Sequence, residues 1–203
     1  MIEKGAVLPL FYLPPVEYFA TLKNNAPDIV IEREEHFPKQ TYRNRADVYT
    51  PDGKLSLVVP VIKGSKNHTQ VKDVKISYDF RWQRLHWMSI QACYRRSAYF
   101  EYYEDELAPF YEKQFSFLFD YNEQLLNFIL KAIKLPLKLT YTNEYVSNYP
   151  GLVDLRSSMN PKKQSNFRQT PYFQVFEDRH GFLNNLSIVD LLFSQGPQTI
   201  NYL

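Results

Sequence analysis

Two adjacent prolines, Pro14 and Pro15, constrain the start of this chain more than any other feature. Proline has no N–H and a locked φ, so it cannot continue a central strand or sit inside a helix, yet it suits a helix's first turn. The apolar run at residues 6–12 therefore reads as a buried strand that stops at the prolines. Residues 16–24, with Phe19 and Leu22 on one face, read as a helix that starts there, and Asp28-Ile29-Val30-Ile31-Glu32 reads as a second strand. Further on, residues 46–49 and 54–62 flank Thr50-Pro51-Asp52-Gly53, and the Asp-Gly pair supplies hairpin turn chemistry.

After the polar loop 63–70, residues 71–76 have strand character. From about residue 81 the period becomes helical: residues 82–96 carry Trp82, Leu85, Trp87, Met88 and Ile90, and a second helix is expected near 108–119. Asp120 with Glu123 three residues on predicts a capping box opening a helix with Leu125, Leu126, Ile129 and Ile133, stopped by Pro136. Residues 137–142 return to strand, 151–168 read as a polar loop, and 172–176 as a last strand. Ser187 as N-cap, Asp190 at its third position and a Leu186–Leu191 staple open a final helix that Gly196-Pro197 ends. There are no internal repeats. The fold class expected is α/β (or α+β), a mixed sheet with a β-hairpin and several packed helices, in a single domain spanning residues 1–203.

Composition bounds the function. A chain of 203 residues can bury a core without disulfides or metal. With 24 basic and 22 acidic residues it lacks the charge bias of a nucleic-acid binder. Cys93 is the one cysteine, which excludes an intramolecular disulfide and a cysteine zinc cluster and predicts a reducing compartment. There is no secretory signal pattern, and no apolar run approaches the roughly 18 residues of a membrane span. A cytoplasmic location is the expectation. The chain holds 16 Tyr, 15 Phe and 2 Trp, and aromatic faces serve both cores and sugar C–H surfaces.

The stretch Pro38-Lys39-Gln40-Thr41-Tyr42-Arg43-Asn44-Arg45 concentrates polar equipment. If it is extended, Lys39, Arg43 and Arg45 share one face. Arginine forks fit phosphate or carboxylate and lysine adds a point charge, so the expected ligand is a small anionic or sugar-like molecule. The bland alternative is a solvated connection between strands. In Arg81-Trp82-Gln83-Arg84-Leu85-His86-Trp87, His86 lies between two tryptophans and could move a proton in an aromatic-walled pocket; a packed helix histidine is the alternative. The assignments that follow are His86 and Lys39 as catalytic groups, and Tyr42, Arg43, Asn44, Arg45 and Trp87 as substrate-binding groups. His36 is a weaker candidate, while His68 and His180 read as exposed. Asp154-Leu155-Arg156 and Asn160-Pro161-Lys162 lie in a loop, where ligand contacts concentrate. Asp190 and Cys93 read as structural. No Gly-rich phosphate loop, His-Glu-x-x-His or Gly-x-Ser-x-Gly occurs, no metal-ligand spacing is compelling, and no cofactor is indicated.

An ordered set of motifs resembles the WbqC-like proteins of bacteria. It comprises Leu8-Pro9, Phe11-Tyr12-Leu13-Pro14, Tyr18-Phe19, Phe37-Pro38-Lys39, Tyr42-Arg43-Asn44-Arg45 and Leu57-Val58-Val59-Pro60-Val61. It continues through His86-Trp87-x-Ser89-Ile90 and Ser97 to Tyr103, and closes with Gln174-Val175-Phe176 and Gly181 to Phe193. The resemblance implies a role in bacterial surface-polysaccharide (O-antigen) biosynthesis and brings no defined reaction. Joined to the polar stretch and His86, it suggests a transferase acting on an activated sugar or its precursor. The alternative is a non-catalytic binding or scaffold protein beside a polysaccharide enzyme. Where many relatives carry Gln-Pro and a glycine before the Tyr-Phe pair, this chain has Leu8-Pro9 and Glu17-Tyr18.

Overall fold

The computed structural model describes residues 5–62 and 69–203. Strand β1 (Ala6–Pro9) is four consecutive buried residues, the pattern of a strand covered on both faces. Gly5 admits it to the sheet: its φ is +117°, and a Cβ there would fall 2.7 Å from the Asp28 carbonyl oxygen. Helix α1 (Val16–Asn25) starts directly after Pro15 and buries Val16, Tyr18, Phe19 and Leu22. It returns the chain to β2 (Ile29–Glu32), which pairs in parallel with β1, Ala6 opposite Ile29.

Strands β3 (Arg45–Thr50) and β4 (Gly53–Val58) form the expected hairpin, a separate two-stranded antiparallel sheet. A helical section follows: α2 (Trp82–Tyr94), α3 (Phe100–Leu107), the single turn α4 (Pro109–Glu112) and α5 (Leu118–Ala132), whose inner face buries Leu125, Leu126 and Ile129. Strands β5 (Leu139–Tyr141) and β6 (Val153–Asp154) complete the main sheet, β5 beside β2 and β6 beside β1, all parallel. The spatial order is β5-β2-β1-β6. A short turn α6 (Glu177–His180) and helix α7 (Ile188–Gln195) close the chain, followed by a 3-10 segment Gly196–Tyr202. The architecture is α/β in a single domain.

Several local expectations are corrected. Residues 71–76 do not form a strand: Val71–Asp73 is a 3-10 turn, and only Lys75 and Ile76 make isolated bridges, to Phe117 and Val61. The helix expected near 108–119 does not form: α3 lies before it, Pro109 lacks the N–H to continue a helix and opens only the single turn α4, and α5 starts at Leu118. Helix α5 begins at Leu118 after Phe117, so Asp120 lies inside the first turn rather than at its cap. Residues 172–176 are irregular, since the Gln174 and Tyr172 side chains bond to Asp190 instead of their backbone joining a ladder. Ser187 is the N-cap of α7, but its hydroxyl donates to the Leu13 carbonyl at 2.9 Å rather than into the helix. His68 and most of the polar loop before Gln70 lie outside the described residues.

Candidate functional site

In an open parallel sheet, ligands bind beyond the carboxyl ends of the strands where the strand order reverses. Here the reversal falls between β1, whose helix leads to β2 on one side, and β6 on the other. Beyond those two ends lie the start of α1 and the irregular chain after Asp154. A cavity of about 700 Å³ opens there. Glu17 lines it from α1, Tyr42 from the segment before β3, and Asp47 and Lys54 from the hairpin. The opposite wall is drawn from residues 158–167, with Asn184 and Asn185 contributed by the loop before α7.

Glu17 is the best-positioned group. Its backbone N–H donates to Asn185 Oδ1 at 2.9 Å, while Asn185 Nδ2 donates to Glu17 Oε2 at 2.9 Å. This reciprocal pair does for α1 what a capping box does within one segment, using an asparagine from the far end of the chain. Asn185 has φ +58°, a conformation that asparagine tolerates better than most residues. Ser165 Oγ also donates to Glu17 Oε2, at 2.7 Å. Both partners act on one oxygen, and Oε1 makes no hydrogen bond to a described residue.

The Tyr42 ring is buried and packs 5.6 Å from Phe11, while its hydroxyl makes no hydrogen bond to a described residue. Burial raises the phenol's pKa, and the Asp47 and Glu17 carboxylates raise it further, so the hydroxyl stays protonated as a donor. Asp47 is anchored by Ser56 Oγ and by Lys54 Nζ at 3.1 Å. These partners meet because Asp47 and Ser56 are directly opposite across the hairpin. The remaining polar lining is mostly amides and hydroxyls: Ser158, Asn160, Gln164, Ser165, Asn166 and Asn184, with Lys163 as a second cation. Two carboxylates and two ammoniums leave the wall without net charge. Met159 and Phe167 supply apolar surface.

An ionic network holds the chain as it leaves β6. Arg156 reaches Asp154 through Nη2 at 2.5 Å and Glu32 Oε2 through Nη1 at 3.2 Å. The hydrogen bond from Arg156 is the main force lowering the Asp154 pKa. Glu32, fully buried at the end of β2, also accepts from Thr142 and Tyr149. The network ties the 155–167 wall to the sheet.

The residues singled out by sequence are not brought together. The segment before β3 is not extended: Gln40 has φ +62° and a turn follows at Tyr42 and Arg43, so the alternation that would align three cations is broken. Lys39 is exposed. Arg43 is buried and donates to Glu35 Oε1 from Nε at 2.8 Å and from Nη2 at 2.5 Å. Burial pushes Glu35 up and Arg43 down, so desolvation outweighs their attraction on both sides of the pair. Asn44 donates to the Val59 carbonyl, and Arg45 begins β3 with its Nε buried. His86 lies inside the helical core, its Nδ1 3.0 Å from the Tyr12 hydroxyl and its ring 5.1 Å from Trp82. Burial lowers its pKa to about 4, leaving it neutral. Trp87 stacks on Tyr111 at 5.4 Å. Of the seven assigned residues, only Tyr42 lines the cavity.

Glu17, Asp47, Asn184 and Asn185 line the cavity without having been singled out by the sequence. Glu17 was visible as the acidic residue one position into a Pro-led helix. The cross-strand pairing of Asp47 with Ser56 follows from the hairpin register once the Asp-Gly turn is placed.

Residues 11–166 match the WbqC-like protein family. The chain belongs to that family. The matched span includes β2, β5 and β6 of the main sheet, the hairpin and most of the cavity wall, while β1 with its Leu8-Pro9 and the motifs from Gln174 onward lie outside it. The chain is also 25% identical to the uncharacterized protein Rv1507c of Mycobacterium tuberculosis, over all of this chain and 98% of that one. No solved structure matches significantly. Among the described residues, no helix is long and apolar enough to cross a membrane.

Proposed function

We propose that this WbqC-like protein holds a hydroxyl-rich, sugar-like ligand in the cavity beyond β1 and β6, and acts there as a transferase on an activated sugar or its precursor. The observation that carries the reading is a cavity of about 700 Å³ at the strand-order reversal, lined by carboxylates, amides and hydroxyls rather than by a cluster of cations. Carboxylates and amides pair with both donor and acceptor sides of sugar hydroxyls, and Phe167 and Met159 offer surface to C–H faces. The surface-polysaccharide setting rests on the family resemblance.

In this reading Glu17 Oε1 accepts the proton of an acceptor hydroxyl as its oxygen attacks the activated carbon. The bond to the leaving group breaks, and Lys163 offsets the anion released. Tyr42, kept protonated by burial and by the neighbouring carboxylates, donates to the bound ligand. Asn185 is a positioning residue for Glu17.

A second reading, binding without catalysis, draws on the ties that hold both carboxylates and on the burial of His86 away from the cavity. Calorimetry with a panel of free sugars, amino sugars and nucleotide sugars tests both. Binding is expected, about tenfold weaker in Tyr42→Phe through loss of one hydrogen bond. Product formation that Glu17→Gln abolishes, with binding retained, supports the transferase. Binding without turnover by any donor–acceptor pair leaves the second reading, and no binding across the panel sinks both.

A further inference from the structure

Helix α2 packs Trp82, His86, Ile90 and Cys93 inward, and its outward stripe is chemically unusual. At helical spacing it presents Arg84, Leu85, Met88 and Ala92 to solvent, and Arg81, Arg95 and Arg96, exposed as well, flank its two ends. The helix contains no acidic residue. Arg95 pairs with Glu104 at 2.8 Å, whereas Arg81, Arg84 and Arg96 form no ion pair with a described residue. Leu85 and Met88, with Phe80 just before the helix, each leave more than half of their surface exposed. Ile62, equally exposed, follows the Pro60 whose carbonyl accepts from Ser77 N, on the segment that leads into Phe80. The nearest acidic neighbour in sequence is Asp79, which is engaged by Ser77.

A solvated helix face ordinarily mixes charges of both signs, and a protein–protein interface gathers its apolar residues into a core with a polar rim. Here Leu85, Met88 and Ala92 lie together between arginines at both ends of the stripe, and that rim is of one sign, with Arg81, Arg84 and Arg96 unpaired among the described residues. That pattern fits the boundary of a lipid bilayer, where apolar side chains enter the acyl edge and arginines reach anionic headgroups. We infer that the outer face of α2 docks the protein on an anionic lipid surface, with Leu85, Met88 and Phe80 inserted and Arg81, Arg84 and Arg96 at the phosphates. The contact is peripheral and does not depend on what the cavity binds.

Co-sedimentation of the full chain with vesicles tests this, comparing phosphatidylcholine alone with phosphatidylcholine containing phosphatidylglycerol. Binding is expected only to the anionic vesicles and to weaken as salt is raised. Arg81→Gln with Arg84→Gln should weaken it by about fivefold for each charge removed, and Leu85→Ser with Met88→Ser should weaken it as well. All four positions are exposed, and circular dichroism verifies that the variants fold. No binding to anionic vesicles overturns the proposal. So does binding indifferent to the arginine pair, or binding that falls with the arginines and ignores Leu85 and Met88. Capture of an acidic protein in place of lipid has the same consequence.

Discussion

At the scale of single residues, His86 was readable as a histidine in an aromatic environment, and that environment proved to be the protein's interior. Its pKa of about 4 lies below the ordinary 6.5 because burial disfavours the charged ring. Between those values the unfolded chain binds a proton that the folded chain does not, so stability falls as pH drops from about 6.5 toward about 4. Urea unfolding should show a His86 contribution of about 2 kcal/mol lost between pH 7 and pH 5. His86→Gln, which keeps a partner for the Tyr12 hydroxyl, should lack that component; equal pH dependence in both proteins would contradict it. Arg43 teaches a related lesson. A one-dimensional pattern exposes charge type and spacing, but not that Glu35 lies within reach to neutralise a buried guanidinium.

At the scale of elements, the Pro-led helix, the hairpin and α5 were legible because each carries its own local signal: a fixed φ, an Asp-Gly turn, a strong period. Strand β6 was not, because two residues cannot display a period and only their partner β1 makes them a strand. Residues 172–176 failed the other way. Their aromatic and β-branched residues resembled a strand, yet Tyr172 and Gln174 bond to Asp190 on α7. Tyr94 on α2 adds a third donor at 2.9 Å, so one buried carboxylate fastens α2, α7 and the irregular segment together. Burial pushes the Asp190 pKa up while all three donors pull it down. Asp190→Ala strands two phenols and an amide in the core and should cost about 3 kcal/mol or more in chemical denaturation. A loss under about 1 kcal/mol would mean that these groups find other partners.

At the scale of the whole molecule, the α/β class followed from the alternation of elements, but the cavity did not, since its walls come from stretches far apart in the chain. Asn185 meets Glu17 across 168 positions, a juxtaposition that no local pattern announces. The same geometry predicts a gradient of stability. Strands β1 and β2 are buried and paired in the sheet's centre, whereas residues 155–171 hold no regular structure. In hydrogen exchange, amides of Val7, Leu8 and Ile31 should open only with global unfolding, and those of residues 160–166 should exchange orders of magnitude faster. Uniform protection would refute that gradient. The sheet's outer members, β5 and β6, have three and two residues. Open sheet margins invite strands from neighbouring molecules, and very short ones offer too few free backbone groups to hold a visitor. The parallel sheet is therefore a poor template for self-association, and concentrated solutions of this protein should resist fibril growth through that layer.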